Sequence, residues 1–438
     1  DLRVQDQFLY VENGILKSPI ADAELYARQH LTDVTNLENR LEFSSEIKDL
    51  YPFAPLLGVD QLMVRGQLNG SLERNGNREL AFNGDLSLEE VQVDTLFSSG
   101  QITGEAMVLL VDDPQIDVNL DIQGPNVAGQ QIQDFNMSAT ALIKEEETTG
   151  QVEFELINDT ESRLFQAGTY RVSGDLAELE TETLDFVSSE RTLSLREAFG
   201  IRYQNSVVSV DSFRVQSPDE ESYLEVWAPQ VDSLSQNLGL DARNLNIGVL
   251  QRTLMGSSML EGDLSAYIQL NNSPDSLALT SNGLISSLQF EEGEMDSLHF
   301  SADIKNEWLD LAIDGRHKNQ ELFKGSARVP FLPGDPVTFD DQFFDREVVG
   351  EFHVNRSDAN YWLSFMPGEL VEETDGILSF DGEMTGKAGV PEFEGEFKFR
   401  DGQLSGVPVD SLIVDMLYDH EQEIFGFSGA ITSRQQQV

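Results

Sequence analysis

The chain has 438 residues, no cysteine, and 78 acidic against 28 basic side chains, a formal net charge of −50 with a pI near 4.1. Such a charge repels nucleic acid and anionic bilayer surfaces, and the missing thiols exclude disulfides, thiolate metal sites and thiol catalysis. No run of about 18 apolar residues marks a membrane helix, and Asp1 to Asp6 carry neither the basic nor the apolar region of a leader.

The acidic residues are spread along the chain and read as the solvent side of strands; they also suit a high-salt setting, where screening relieves self-repulsion. The melting temperature is therefore expected to rise as NaCl goes from millimolar to molar, and a flat or falling curve would contradict this. The pattern starts and stops abruptly, ending in Ala430 to Val438, so the sequence reads as a piece of something longer.

In chain order, the first signal is a short apolar stretch of helical or irregular character near residues 50 to 57, followed by the glycine-spaced strand openers Gly66 to Gly70 and Phe82 to Leu88. Gln115 to Gln123 then alternates strictly, with Ile116, Val118, Leu120 and Ile122 on one face and polar side chains on the other, because successive strand residues point to opposite sides. Val152, Phe154 and Leu156 repeat the period, and the acidic run Glu145 to Glu147 before them reads as a solvated loop.

A second helical stretch is expected at 247 to 255, followed by strand openers at Gly262 and Gly283. Asn282-Gly283, Asp375-Gly376 and Asp401-Gly402 are tight-turn dipeptides, and Asn271 to Asp275 is a longer loop. Period two returns at Leu298, Phe300, Ala302 and Ile304, at Leu309, Leu311 and Ile313, and at Phe393, Phe397 and Phe399. A third helical plug is expected near 360 to 366.

These elements give an all-β, mostly antiparallel sheet, elongated and curled into a U, with an apolar groove and a few short helical interruptions. It is one continuous region over 1–438 with approximate repeats at 50–240, 245–345 and 360–438, since no Pro-rich or Ser/Gly-rich linker divides the chain. A sandwich would need boundaries that cannot be placed. The groove lining is then Ile116, Val118, Leu120, Ile122, Val152, Phe154, Leu156, Leu298, Phe300, Ile304, Leu309, Leu311, Ile313, Phe393, Phe397 and Phe399.

Catalytic signals are missing from the sequence. His30, His299, His317, His353 and His420 lack metal-ligand spacing, and there is no nucleophile elbow, P-loop or dinucleotide fingerprint. Asp340 and Asp341 with Asp345 lack the glycine-punctuated oxygen ligands of a calcium loop. No catalytic residue, metal or cofactor is assigned, and no enzyme activity is expected. With 26 Phe against 9 Tyr and 3 Trp, the aromatics suit plain apolar lining better than sugar platforms.

Several segments resemble the TamB family of the AsmA-like superfamily, the translocation and assembly module. They are Leu245 to Gly256, Leu260 to Ala266, Asn272 to Pro274, Phe290 through Leu298, the strand pair to Ile313, and Gly325 to Pro330. Gly168 to Gly174 and Phe199 to Tyr203 are similar to the same family's middle region. The resemblance implies a long β-groove in the periplasm that conducts phospholipid acyl chains and serves outer-membrane biogenesis. It also implies an inner-membrane anchor and an outer-membrane barrel partner of the TamA type, both reached through segments outside this sequence. The competing readings are an adhesin or stalk of stacked β domains with a self-filled core, and a secreted carbohydrate-active protein.

Overall fold

The computed structural model describes residues 2–33, 35–48, 50–54, 59, 61–74, 79–94, 97–127, 130–158, 162–188, 191–231, 235–255, 259–273, 276–290, 292–305, 307–331, 344–365, 374–404, 407–419 and 424–432. Strand accounts for 78% of the chain and helix for 4%, so the expected all-β architecture is what the chain adopts. Contacts divide it into two compact units, one of 1–206 with 251–257 and one of 207–250 with 258–438. The cuts between the units fall at 206/207, inside the first approximate repeat, and at 250/251 and 257/258, inside the second.

In the first unit the strands pair antiparallel, for the most part with their sequence neighbours. The order runs through Ala21–His30, Arg40–Ile47, Leu62–Arg74, Leu80–Val93, Gln101–Leu110, Gln115–Gln123, Asp134–Ile143, Thr148–Ile157, Arg163–Ser173 and Leu176–Val187. In the second unit the same meander runs from Tyr223–Val231 through Gln236–Asn246, Leu260–Ser273, Ser276–Phe290, Gly293–Lys305, Trp308–His317 and Gln320–Pro330. It continues through Val349–Asp358, Asp375–Lys387, Val390–Leu404 and Val407–Asp419 to Ile424–Thr432.

All three helical stretches exist. A 3₁₀ turn covers Tyr51–Phe53, with 55–57 outside the described residues. Helix Ile247–Met255 opens with the Asn246 side chain accepting from the Val249 amide at 2.8 Å. Helix Ala359–Leu363 is capped by the Asp358 carboxylate, which accepts from the Asn360 amide at 2.9 Å. Each cap satisfies an amide that the first helical turn leaves without a partner.

The turn assignments need correcting. Asn282-Gly283 lies in the middle of Ser276–Phe290, Asp401-Gly402 lies inside Val390–Leu404, and Asp375-Gly376 opens Asp375–Lys387. Asn271 to Ser273 are strand as well, while Pro274 and Asp275 fall outside the described residues. Two of the two-residue hairpins are closed by Asp6-Gln7 and Lys318-Asn319, with φ of 52° and 69° and of 50° and 62°. Both positions of a type I′ turn require positive φ, so these pairs bear the strain that glycine avoids elsewhere.

Gly283 has another use. It stands directly opposite Phe300, and a Cβ there would sit 2.0 Å from the Phe300 ring. Gly239 under Trp227 and Gly315 under Phe323 repeat the arrangement, with 2.0 Å and 2.2 Å to the ring. The aromatic ring covers backbone that glycine leaves bare, a cross-strand pairing that stabilises a sheet where glycine weakens it. Gly283→Val should force the Phe300 ring off its seat and cost about 1–3 kcal/mol. An unchanged thermal midpoint would show that the ring does not need this seat.

Candidate functional site

Register settles which side chains share a face, because residues directly opposite in an antiparallel ladder point the same way. In the first unit Ile116, Val118, Leu120 and Ile122 oppose Ala141, Ala139, Met137 and Phe135. Ala139, Met137 and Phe135 in turn oppose Val152, Phe154 and Leu156. All seven expected lining residues of this unit therefore lie on one face, joined on the other side by Val108, Ala106, Gly104 and Ile102. The reverse face carries Asp117, Asn119 and Asp121 opposite Thr140, Ser138 and Asn136.

The second unit repeats the pattern. Leu298, Phe300 and Ile304 oppose Gly315, Ile313 and Leu309, and Leu311 stands between Ala302 and Ala327. Across the later strands Phe393, Phe397 and Phe399 oppose Met384, Phe380 and Leu378. All nine expected residues of this unit share one face. The same face also carries Phe352 and Met384, which do not stand out in the sequence because Gly350 and Gly382 beside them break up the apolar alternation.

One face does not mean one environment. The segment from Ala359 to Phe365 lies over one end of the strands, where Tyr361, Trp362 and Phe365 pack on the cluster of Leu288, Met295, Leu322, Phe323 and Val354. The Phe365 ring lies on Gly293, whose Cβ would be 2.6 Å away. The Tyr361 hydroxyl donates to the Glu294 carbonyl at 2.8 Å and the Trp362 indole to Ser357 Oγ at 2.7 Å. Burial, assisted by Asp296, pushes the Tyr361 phenol from its ordinary value of 10.0 up to about 12, which extends the donor's protonated range further into alkaline pH.

Phe399 is 1% exposed in a cluster with Ala359 and Val409, so it is core and not open lining. Leu309, 8% exposed, is likewise packed, beside the buried Val329. Between these margins the face is open. Along Trp308–His317 the inward positions read Leu309 buried, Leu311 37% exposed, Ile313 38% exposed and Gly315 buried. This strand is paired on both sides, so the exposure is not an edge effect. The two margins are six residues apart, about 20 Å along the strand.

The first unit has one packed margin of the same kind. Leu62, Val64, Leu88, Val91 and Ile102 cluster with Ala54, and Leu50, Val59, Leu120 and Ile122 pack against them. All seven expected residues of this unit, Leu120 and Ile122 included, are themselves partly exposed.

The polar face carries cross-strand ion pairs, including Arg202 with Glu178 at 2.8 Å, Arg171 with Glu147 at 3.0 Å and Arg328 with Asp310 at 2.5 Å. All are exposed and worth about 0–1 kcal/mol each. Asp345 pairs with Lys387 at 3.1 Å, while Asp340 and Asp341 lie outside the described residues. His353 bonds Asp381, and His317 lies against the Tyr361 ring. Among the described residues no group of His, Asp and Glu has the arrangement of a metal site, and no helix is long and apolar enough to cross a membrane. No protein-family model matches the chain, and no curated protein matches it either.

Proposed function

We propose that this chain is a non-enzymatic carrier of lipid acyl chains, working in envelope lipid transport and outer-membrane biogenesis. The observation that carries the reading is the exposure of Leu311 and Ile313 in the middle of a doubly paired strand, between packed margins. Large apolar side chains on the inner face of a sheet are ordinarily covered, and an open strip of them marks a surface that binds something apolar.

The energetics fit a long alkyl chain. Each buried methylene contributes about 0.8 kcal/mol, so ten supply about 8 kcal/mol, enough to offset the low end of an association cost of about 4–15 kcal/mol. Short-chain amphiphiles fall below that threshold. Acyl chains would lie on the apolar face with headgroups in water, and transfer involves no bond chemistry.

The resemblance to the TamB family supplies the rest of the proposal: a periplasmic location, an inner-membrane anchor and an outer-membrane barrel partner. The adhesin reading asks for a self-filled core, and the open strip disfavours it. Organic extraction of the purified chain followed by mass spectrometry should recover phospholipid in stoichiometric amount. A chain expressed in a lipid-containing host that never carries lipid overturns the proposal.

A further inference from the structure

We propose that the open strip of the second unit discriminates by headgroup charge, accepting zwitterionic phospholipids and disfavouring anionic ones; this rests on the acyl-chain reading above. The determinant is on the reverse face of the same strands. Glu351, Glu383 and Glu394 stand directly opposite one another on three successive strands. Two residues along, Asp381, Glu396 and Asp415 form a second file of the same kind. Between the two files run Gly382 and Gly395, so the sheet there is little more than its backbone.

Compensation is incomplete. Lys398 pairs with Glu396 and His353 bonds Asp381, but among the described residues neither Glu383 nor Glu394 is in an ion pair. Like charges directly opposite in a ladder repel, and they are tolerated here on a chain that already carries −50. A headgroup held in water beside Phe352 and Met384 is separated from these carboxylates by one sheet thickness. At 10 mM salt the screening length is about 30 Å, so a net negative headgroup feels the whole group, whereas at 0.5 M the field is cut off within a few ångströms. A zwitterion gains or loses little in either condition.

The selectivity is read from vesicles containing equal phosphatidylcholine and phosphatidylglycerol with identical acyl chains, so that both lipids leave the same surface. The full chain is incubated with them and recovered, and the bound lipids are counted by mass spectrometry. At 10 mM NaCl phosphatidylcholine should exceed phosphatidylglycerol about fivefold, falling toward equality at 500 mM. Glu383→Gln with Glu394→Gln should at least halve the preference at 10 mM without lowering phosphatidylcholine loading, while Glu220→Gln with Glu221→Gln, in the same unit but seven strands along the ladder from Val349–Asp358, should leave it unchanged. Equal loading at 10 mM overturns the proposal, as does a preference that both pairs of substitutions alter alike. Loading of neither lipid at either salt overturns the acyl-chain reading itself, and the selectivity with it.

Discussion

Phe399→Ala should destabilise the second unit by about 3–5 kcal/mol, the range for emptying a fully buried aromatic position. The side chain is 1% exposed and packs with Ala359 and Val409, with Leu378, Phe397, Leu404 and Leu412 around it. The cavity cannot close easily, because the Asp358 cap fixes the start of the short helix that contributes Ala359. Leu311→Ala removes a side chain that already meets water over a third of its surface, and should cost under about 1 kcal/mol. The comparison is made on the midpoint of urea unfolding, followed by circular dichroism. Equal shifts for the two variants would mean that the apolar face is packed uniformly and that there is no open strip.

That contrast marks where the sequence stops being legible. Period two at Gln115 to Gln123 and at Leu309 to Ile313 is a local property, since it follows from side chains alternating across a strand, and it placed all sixteen expected residues on apolar faces. Whether a given position on that face is covered depends on chain that arrives from far away. Leu309 and Leu311 have the same spacing and chemistry, yet the strand's margin buries one and leaves the other in water. Phe397 and Phe399 differ likewise, because residues around Ala359 reach only the second fully.

Glycine misled for a related reason. Asn282-Gly283 is a turn dipeptide by local preference, but Phe300, seventeen residues on, makes Gly283 the seat of an aromatic ring. Lys318-Asn319 has no strong turn signature and nonetheless closes a hairpin, because the flanking strands fix its position. Phe352 and Met384 escaped notice because Gly350 and Gly382 interrupt the apolar rhythm around them. The signal that could have found them is the repeated offset of glycine against aromatic residue on the neighbouring strand.

Leu311→Arg should abolish most lipid binding while leaving a folded, soluble chain. Its neighbours across both ladders are Ala302 and Ala327, so a long side chain meets no bulky obstacle. The guanidinium can reach water while its methylenes lie over the strip where an acyl chain would run. Leu120→Arg is expected to behave differently: Leu120 packs against the cluster of Leu62, Val64, Leu88 and Ile102, so an unpaired charge there is pressed into core and should cost several kcal/mol. The pair of variants separates an open face from a closed one. If Leu311→Arg unfolds the chain as Leu120→Arg does, the strip is core; if it folds and retains its full complement of lipid, the strip is not where lipid sits. Loss of lipid with an unchanged circular-dichroism spectrum and unfolding midpoint is the result that the carrier reading requires.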